Sequence, residues 1–522
     1  MSVRLRRSLN LLAPISRLPP EVLSTIFCAV QHAAVANEYD TALDSLDEFD
    51  NPFEYHSAKI EDWIKISHVC HAWREVAMNT SLLWCHLSVT TSCRYKWAEE
   101  YLRRSKQSSL VLIVVLSEDW KKPPRLDDTL IRELRSHLGR SRVLALRVGA
   151  DDLSNLLSQI KTPRLVEFHY SHLHYKSSAS SPPVIGDSIF RLADSLRRLT
   201  IAGCPIDWSA SIFHCLTHLQ LQYIPQNSRL KCRDFISFLT SIPGLEVLFL
   251  EDFLQNENLH ASGPPAAEAA RTPLQHLKHM FLGENGPDLA GFLSNITIPP
   301  FCRVIIVPVE DLTDDDSLLT LPWAYNHFHP PISPSSSGDY PNYWRSLRLF
   351  TINKHFGVQG YVVEENLTRN DILFELYIWT PRDDIEYIPR SLLTSLPMSH
   401  IVYLVIWADC CSVLSKSMWI DFFGSIPTLE SVSIEANSLP LFQALSHDPG
   451  DSDCIPFPVL SSITLRLLSY PDLDYDLILR GLRWRLGLGV PLRRLLMDSC
   501  STVPSSIMKQ LKKVVAHIEV RN

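Results

Sequence analysis

Glycine is scarce in this chain, with 17 in 522 residues. No GxxxxGK(S/T), GxGxxG or GxSxG run occurs, so the loops that cradle phosphates or lift a nucleophilic serine are missing. A basic excess is missing too. Lys and Arg number 49 against 57 Asp and Glu, a net charge of −8, which argues against a general nucleic-acid binder. Long apolar runs are absent. The longest strongly apolar piece, LVLIVVL at Leu110–Leu116, falls well short of the ~18 residues of a membrane span and reads as a buried strand. The 12 cysteines are scattered from Cys28 to Cys500 without dense spacing. The start, MSVRLRRSLNLLAP, has too short an apolar stretch for a secretory leader, although its Arg, Ser and lack of acids give it a faint mitochondrial-presequence character. A reduced cytoplasmic or nuclear compartment is expected, with the cysteines as small buried hydrophobes.

What is present begins with LPPEVLSTIF, Leu18–Phe27. Pro19 and Pro20 suit a helix start, and Val22, Leu23, Ile26, Phe27 and Val30 are read as one helical face. Residues 36–62 hold nine acids and one lysine and are expected to form an exposed acidic loop. VCHAWREVA, Val69–Ala77, reads as a second helix with Ile66, Val69, Cys70, Trp73, Val76 and Ala77 on one face, and Trp84 closes the block in TSLLWCHLSV.

Beyond residue 100 the pattern changes to apolar-x-x-apolar-x-apolar. Strong copies start at Leu196, Leu216, Leu245, Leu277, Ile401, Leu429, Leu460 and Leu492, and weaker ones at Val143 and Leu165. FISFLTSIPGLEVLFLED (235–252) aligns without gaps on WIDFFGSIPTLESVSIEA (419–436). Such periods, each pairing a strand with a helix, point to leucine-rich repeats in a solenoid; ordinary parallel α/β structure is the alternative. Between about 300 and 400 the register is lost, and PPISPSSSGDYP (330–341) reads as a turn-rich loop.

LPPEVLSTIF, VCHAWREVA and the closing SLLW together resemble an F-box. YLRRSKQSSLVLIVVL resembles the piece that follows it in fungal F-box/leucine-rich-repeat proteins, and GVPLRRLLMDSC the way their last repeat ends. The resemblance implies an N-terminal all-α F-box module followed by an α/β leucine-rich-repeat solenoid with irregular repeats and a curved parallel sheet. Its expected boundaries are a tail at 1–14, an F-box at 15–90 with an acidic insertion at about 31–62, and a substrate-binding repeat domain at 91–522. It implies docking on the Skp adaptor, and through it on a cullin, with no chemistry of its own. The adaptor contacts carried over are Leu18, Pro19, Val22, Leu23, Ile26, Phe27, Val69, Cys70, Trp73, Leu82 and Trp84. The acidic insertion departs from the family pattern.

The solenoid is expected to hold an unidentified protein substrate on the positions between the strand leucines. These are Arg198, His218, Gln220, Phe249, Glu251, Phe281, Tyr403, Trp407, Glu435, Arg466 and Arg494, the aromatics serving as anchors. Arg198, Arg466 and Arg494 would also suit a phosphate. His169, His172 and His174 lie close in sequence, yet His169 has the wrong parity to share a strand face with the others, and Cys410–Cys411 lacks a partner pair, so no metal is expected. No cofactor, nucleic acid, membrane or enzymatic activity is expected. The competing readings are a repeat scaffold outside ubiquitination and a hydrolase, for which no nucleophile and base stand out.

Overall fold

The computed structural model describes residues 13–44, 62–90, 95–116, 125–157, 164–172, 183–186, 195–255, 271–307, 344–352, 355–362, 372–379, 393, 396, 398–407, 414–435, 438–447, 455–466, 474–500 and 503–521. The chain divides into two compact units, Met1–Leu230 with Ser241–Phe249, and Lys231–Thr240 with Leu250–Asn522.

The first unit opens with helices. A 3₁₀ turn, Pro14–Arg17, precedes α1 (Pro20–Asp44); a second 3₁₀ segment, Asp62–His68, precedes α2 (His71–Asn79), and a third, Ser81–Trp84, ends in β1 (His86–Thr90). The loop expected from residue 36 is a correction: α1 continues to Asp44, because HAAVANEYDTALD is rich in alanine and broken by neither glycine nor proline. The remainder of the acidic stretch, 45–61, lies outside the described residues.

Alternation of strand and helix follows: α3 (Tyr95–Arg104), β2 (Leu110–Val115), α4 (Asp128–Leu138), β3 (Ser141–Val148), α5 (Ala150–Leu157), β4 (Glu167–His172), β5 (Arg198–Ala202) and β6 (His218–Gln222). From β1 to β6 each strand pairs in parallel with the next in chain order. The start of β7 (Val247–Glu251) continues the series, the Val247 amide donating to the Thr217 carbonyl at 3.0 Å.

In the second unit α6 (Cys232–Thr240) packs its Phe235 ring on Phe253 and Phe292, with centroids 4.7 and 6.1 Å away. A two-residue parallel pair, β8 (Thr272–Pro273) with β10 (Ile296–Thr297), brackets β9 (His279–Gly283) and α7 (Gly286–Ser294). The further strands of this unit are β11 (Arg303–Ile306), β12 (Ser346–Ile352), β13 (His355–Tyr361), β14 (Ile372–Trp379), β15 (Tyr403–Ile406), β16 (Ser431–Glu435), β17 (Ser462–Arg466), β18 (Arg494–Asp498) and β19 (His517–Arg521). Between the later strands lie a helical turn, Lys416–Met418, continuing into a π-turn, Trp419–Phe423, and the helices α8 (Leu439–Leu445), α9 (Tyr475–Gly487) and α10 (Ser505–Leu511).

The lost register near residues 300–400 has a topological cause. β9 pairs with β11 and β11 with β14, both in parallel, but β13 then runs antiparallel between β14 and β12 before β15 resumes the parallel order through β19. Elsewhere the strand reading holds. All three apolar positions of all eight strong copies are 2% exposed or less, from Leu196, Leu199 and Ile201 to Leu492, Leu495 and Met497. The internal match holds as well. Phe235, Leu239, Ile242, Leu245, Leu248 and Leu250 have buried counterparts in Trp419, Phe423, Ile426, Leu429, Val432 and Ile434.

The turn after the strand is also shared. Gly203, Tyr223, Asp252 and Ser499 each follow a strand with φ of 72°, 51°, 45° and 52°, a left-handed step that only Gly203 takes without steric cost. The next residue, Cys204, Ile224 or Phe253, then turns back into the core at 0% exposure.

Candidate functional site

The helical module at the N-terminus is built on two stripes of α1. Leu23, Phe27 and Gln31 repeat every four residues and are 5%, 1% and 3% exposed. The Phe27 ring lies 5.1 Å from that of Trp73, and the Gln31 side-chain amide donates to the Leu83 carbonyl at 2.9 Å. Val22, Ile26 and Val30 form the adjacent stripe and are 43%, 38% and 48% exposed. The single helical face read from the sequence is therefore two faces, since neighbouring residues on a helix point about 100° apart.

This sorts the expected adaptor contacts. Leu23, Phe27 and Trp84 are a correction: they are buried in the module's own core and offer no surface. Pro19, Val22, Ile26, Val69 and Leu82 are exposed, while Leu18, Cys70 and Trp73 are half-buried. Ile15, exposed in the turn before α1, and Val30 join the exposed apolar set and were not among the expected contacts. The four-residue spacing from Ile26 to Val30 was the signal for the latter.

Trp84 shows how the module ends. Its indole N–H donates to the Ala77 carbonyl at 3.0 Å, the Trp63 ring meets it edge-on at 5.1 Å, and Tyr101 packs on it at 4.9 Å. The Arg104 guanidinium sits over the same ring at 4.7 Å. Tyr101 and Arg104 belong to α3, so residue 90 is no break in packing. β1, the last strand of the module, is also the first of the sheet, in register from His86 opposite Val111 to Thr90 opposite Val115. Just beyond, Arg140 ties the end of α3 to the start of β3 by donating to the Ser108 and Leu102 carbonyls and to the Ser105 hydroxyl, at 2.5, 3.3 and 2.7 Å. Burial lowers its pKa.

The expected substrate face divides between the two units. In the first, Arg198, His218, Gln220 and Phe249 are half-buried. A polar chain crosses the strands there: His169 Nδ1 lies 2.9 Å from the Thr200 hydroxyl, which donates to Gln220 Oε1 at 3.2 Å. Glu167 lies 3.8 Å from both His169 and Arg198, and these partners hold its pKa down against the opposing effect of burial. In the second unit Glu251, Tyr403 and Glu435 are half-buried, and Trp407, Arg466 and Arg494 exposed. Phe281 is a correction. It is 6% exposed because its ring folds against Gly283 beside Ile305 on β11. Thr200, Val405, Ser433 and Thr464, also intervening positions, are buried, crowded by neighbours across strands ~4.8 Å apart.

The phosphate reading of three arginines is not favoured by their pairing. Arg198 faces Glu167, Arg466 lies 3.8 Å from Asp498, and Arg494 donates to Glu519 at 3.2 Å. Among the described residues no group of three or more His, Cys, Asp or Glu could hold a metal, and no helix is long and apolar enough to cross a membrane. His172 is buried against the Tyr170 hydroxyl at 3.0 Å, while His174, Cys410 and Cys411 lie outside the described residues.

Residues 15–90 match the family model described as F-box-like, so the helical module is an F-box-like domain and assigns the chain a role in protein interaction. No curated protein matches the chain.

Proposed function

We propose that this chain, with its F-box-like domain at residues 15–90, is a substrate-recognition subunit of a Skp–cullin–F-box ubiquitin ligase. The observation that carries the reading is the exposed apolar stripe of Val22, Ile26 and Val30 on α1, with Ile15 beside its start, while the adjacent stripe of the same helix is locked inward. A stripe of aliphatic side chains held rigid from behind is what a helix-in-groove contact requires. F-box domains generally bind Skp adaptors, and this stripe is the surface offered to one.

The repeat region would bind the protein to be ubiquitinated, in a leucine-rich-repeat solenoid. That finer reading is supported by the eight buried strand triplets, the left-handed step after four strands, and the cysteine three residues past the third apolar position in LRRLTIAGC and LRRLLMDSC, at Cys204 and Cys500. The antiparallel strand β13 is the departure from a uniform solenoid. No catalysis by the chain itself enters this proposal, and its setting would be cytoplasm, nucleus or both. The competing scaffold reading differs in one testable respect. The full chain is mixed with purified Skp adaptor and then with cullin, and the species are separated by size. A ternary complex supports the ligase reading; a chain that binds no adaptor, or an adaptor complex that excludes cullin, leaves only the scaffold.

A further inference from the structure

On the sheet face opposite the buried leucines, the second unit carries five arginines whose surroundings are described, and four have acid partners. Arg303 donates to Glu375 at 2.8 Å, Arg466 lies 3.8 Å from Asp498, and Arg494 and Arg521 share Glu519 at 3.2 and 2.7 Å. Arg348 is the exception. Its one hydrogen bond among the described residues runs from Nη1 to the neutral Gln359 Oε1 at 3.3 Å. Its Nε is buried with no acceptor among those residues.

The setting of Arg348 is aromatic. Its guanidinium carbon lies 4.7 Å from the centroid of Trp407 and 5.2 Å from that of Tyr361. Phe350 packs edge-on to both Trp407 and Tyr377, at 6.4 and 5.7 Å. Phe350 can lie where it does because residue 357, opposite it on β13, is glycine, and a Cβ there would run into the ring. The carboxylate on β14, Glu375, is taken up by Arg303 and by the Tyr377 hydroxyl, which donates to it at 2.9 Å. Tyr361 is fully buried, whereas Trp407 is 39% exposed.

A guanidinium carries five donors in a planar fork suited to a carboxylate. Flanking rings attract its charge but accept none of its in-plane hydrogen bonds well, so the guanidinium lacks an acid partner among the described residues, and a carboxylate meeting the Nη end of the fork supplies one. Arginine among exposed tryptophan and rigid aromatics is also the composition of binding hot spots. We infer that Arg348 and Trp407, backed by the buried Phe350, form a docking position for an acidic segment of a partner protein: a Glu or Asp carboxylate meets Arg348, and an adjacent apolar side chain lies on Trp407. This deepens the substrate-receptor reading and rests on it for the partner being a substrate.

The test uses the full chain and fluorescein-labelled, end-blocked decapeptides, each with one Glu among Leu, Phe and Ser, paired with twins carrying Gln instead. Glu peptides are expected to bind about tenfold tighter than their Gln twins, a preference expected of a charge-assisted pair. Arg348→Gln abolishes the preference, Arg466→Gln preserves it, and Trp407→Ala weakens both twins alike. Thermal melts confirm that each variant is folded, and Arg348→Lys, which keeps the charge without the fork, retains a reduced preference. Equal binding of the twins, survival of the preference in Arg348→Gln, or tighter binding of a phosphoserine twin than of Glu overturns the assignment. Adaptor binding, measured on the same proteins, is unaffected by Arg348→Gln. Its absence in the parent would instead sink the ligase reading while leaving the peptide result to stand by itself.

Discussion

Ile26 and Phe27 are neighbours in sequence on adjacent stripes of α1, one exposed and one buried, and substituting each in turn separates docking from folding. Phe27 is 1% exposed and in contact with Trp73, so Phe27→Ala should cost about 3–5 kcal/mol, a large share of the ~5–15 kcal/mol that holds a domain together. Ile26 is 38% exposed. Ile26→Asp gives up a few tenths of a kcal/mol of helix propensity and part of a half-covered side chain, about 1 kcal/mol together. Docking reverses the order. Covering the rest of Ile26 with a partner is worth about 1 kcal/mol, and an aspartate desolvated against an apolar groove costs about 2 kcal/mol more. The sum of about 3 kcal/mol predicts a loss of more than about 100-fold in adaptor affinity. Surface plasmon resonance on immobilised adaptor, with thermal melts of the same samples, measures both quantities. Ile26→Asp should melt within a few degrees of the parent and bind poorly; Phe27→Ala should melt far lower, yet bind like the parent once corrected for its folded fraction. An Ile26→Asp affinity within threefold of the parent would refute the assignment of this stripe as the docking surface.

His86, at the start of β1, is held to a pKa of about 4, first by burial and then by the neighbouring His32, so the folded chain keeps it neutral. The stability this provides is whole above pH ~6.5, falls as pH drops towards about 4, and amounts to about 3 kcal/mol at most. Urea midpoints at pH 7 and 4.5 should converge less in the parent than in His86→Phe, and parallel pH profiles would exclude the effect. Arg485 is 1% exposed and donates to the carbonyls of Pro456, Phe457 and Leu460 at 3.1, 3.0 and 3.1 Å. Arg485→Met strands those acceptors and should destabilise the second unit by about 3 kcal/mol, with a change under 1 kcal/mol counting against it. A Cβ at Gly360 would stand 2.5 Å from two ring atoms of the buried Trp344. Gly360→Ala should therefore cost about 2 kcal/mol, while Gly244→Ala, whose nearest neighbour is 3.8 Å away, should be close to neutral in the same denaturation series.

How far the chain could be read from its letters depended on how local each signal was. An apolar-x-x-apolar-x-apolar strand declares its buried side within six residues, and each triplet so marked is in the core. The ninth position of the same pattern was equally local. Cys204 and Cys500 stood there to be read, each after a left-handed residue, and at Cys204 that step turns the chain into the core. Side and partner are different matters. Val22, Ile26, Val30 and Leu23, Phe27, Gln31 have identical spacing, and the apolar members of both read as one face. The acceptor of Gln31, the Leu83 carbonyl, is 52 residues away, beyond the reach of any helical window.

The same physics hides Arg348. β12, β13 and β14 alternate like any other strands; nothing local says that β13 also pairs with β14, and the two-residue link after β12 means that β13 runs backwards. Because it does, Gln359 and Tyr361 from β13 arrive beside Arg348 from one side, while Trp407 arrives after β15 from the other. With β13 removed or run in parallel, the residue would be an ordinary sheet arginine. What gives Arg348 its unpaired charge and its rings is the strand order, and Trp407, which comes from beyond β15, lies outside any local window around Arg348.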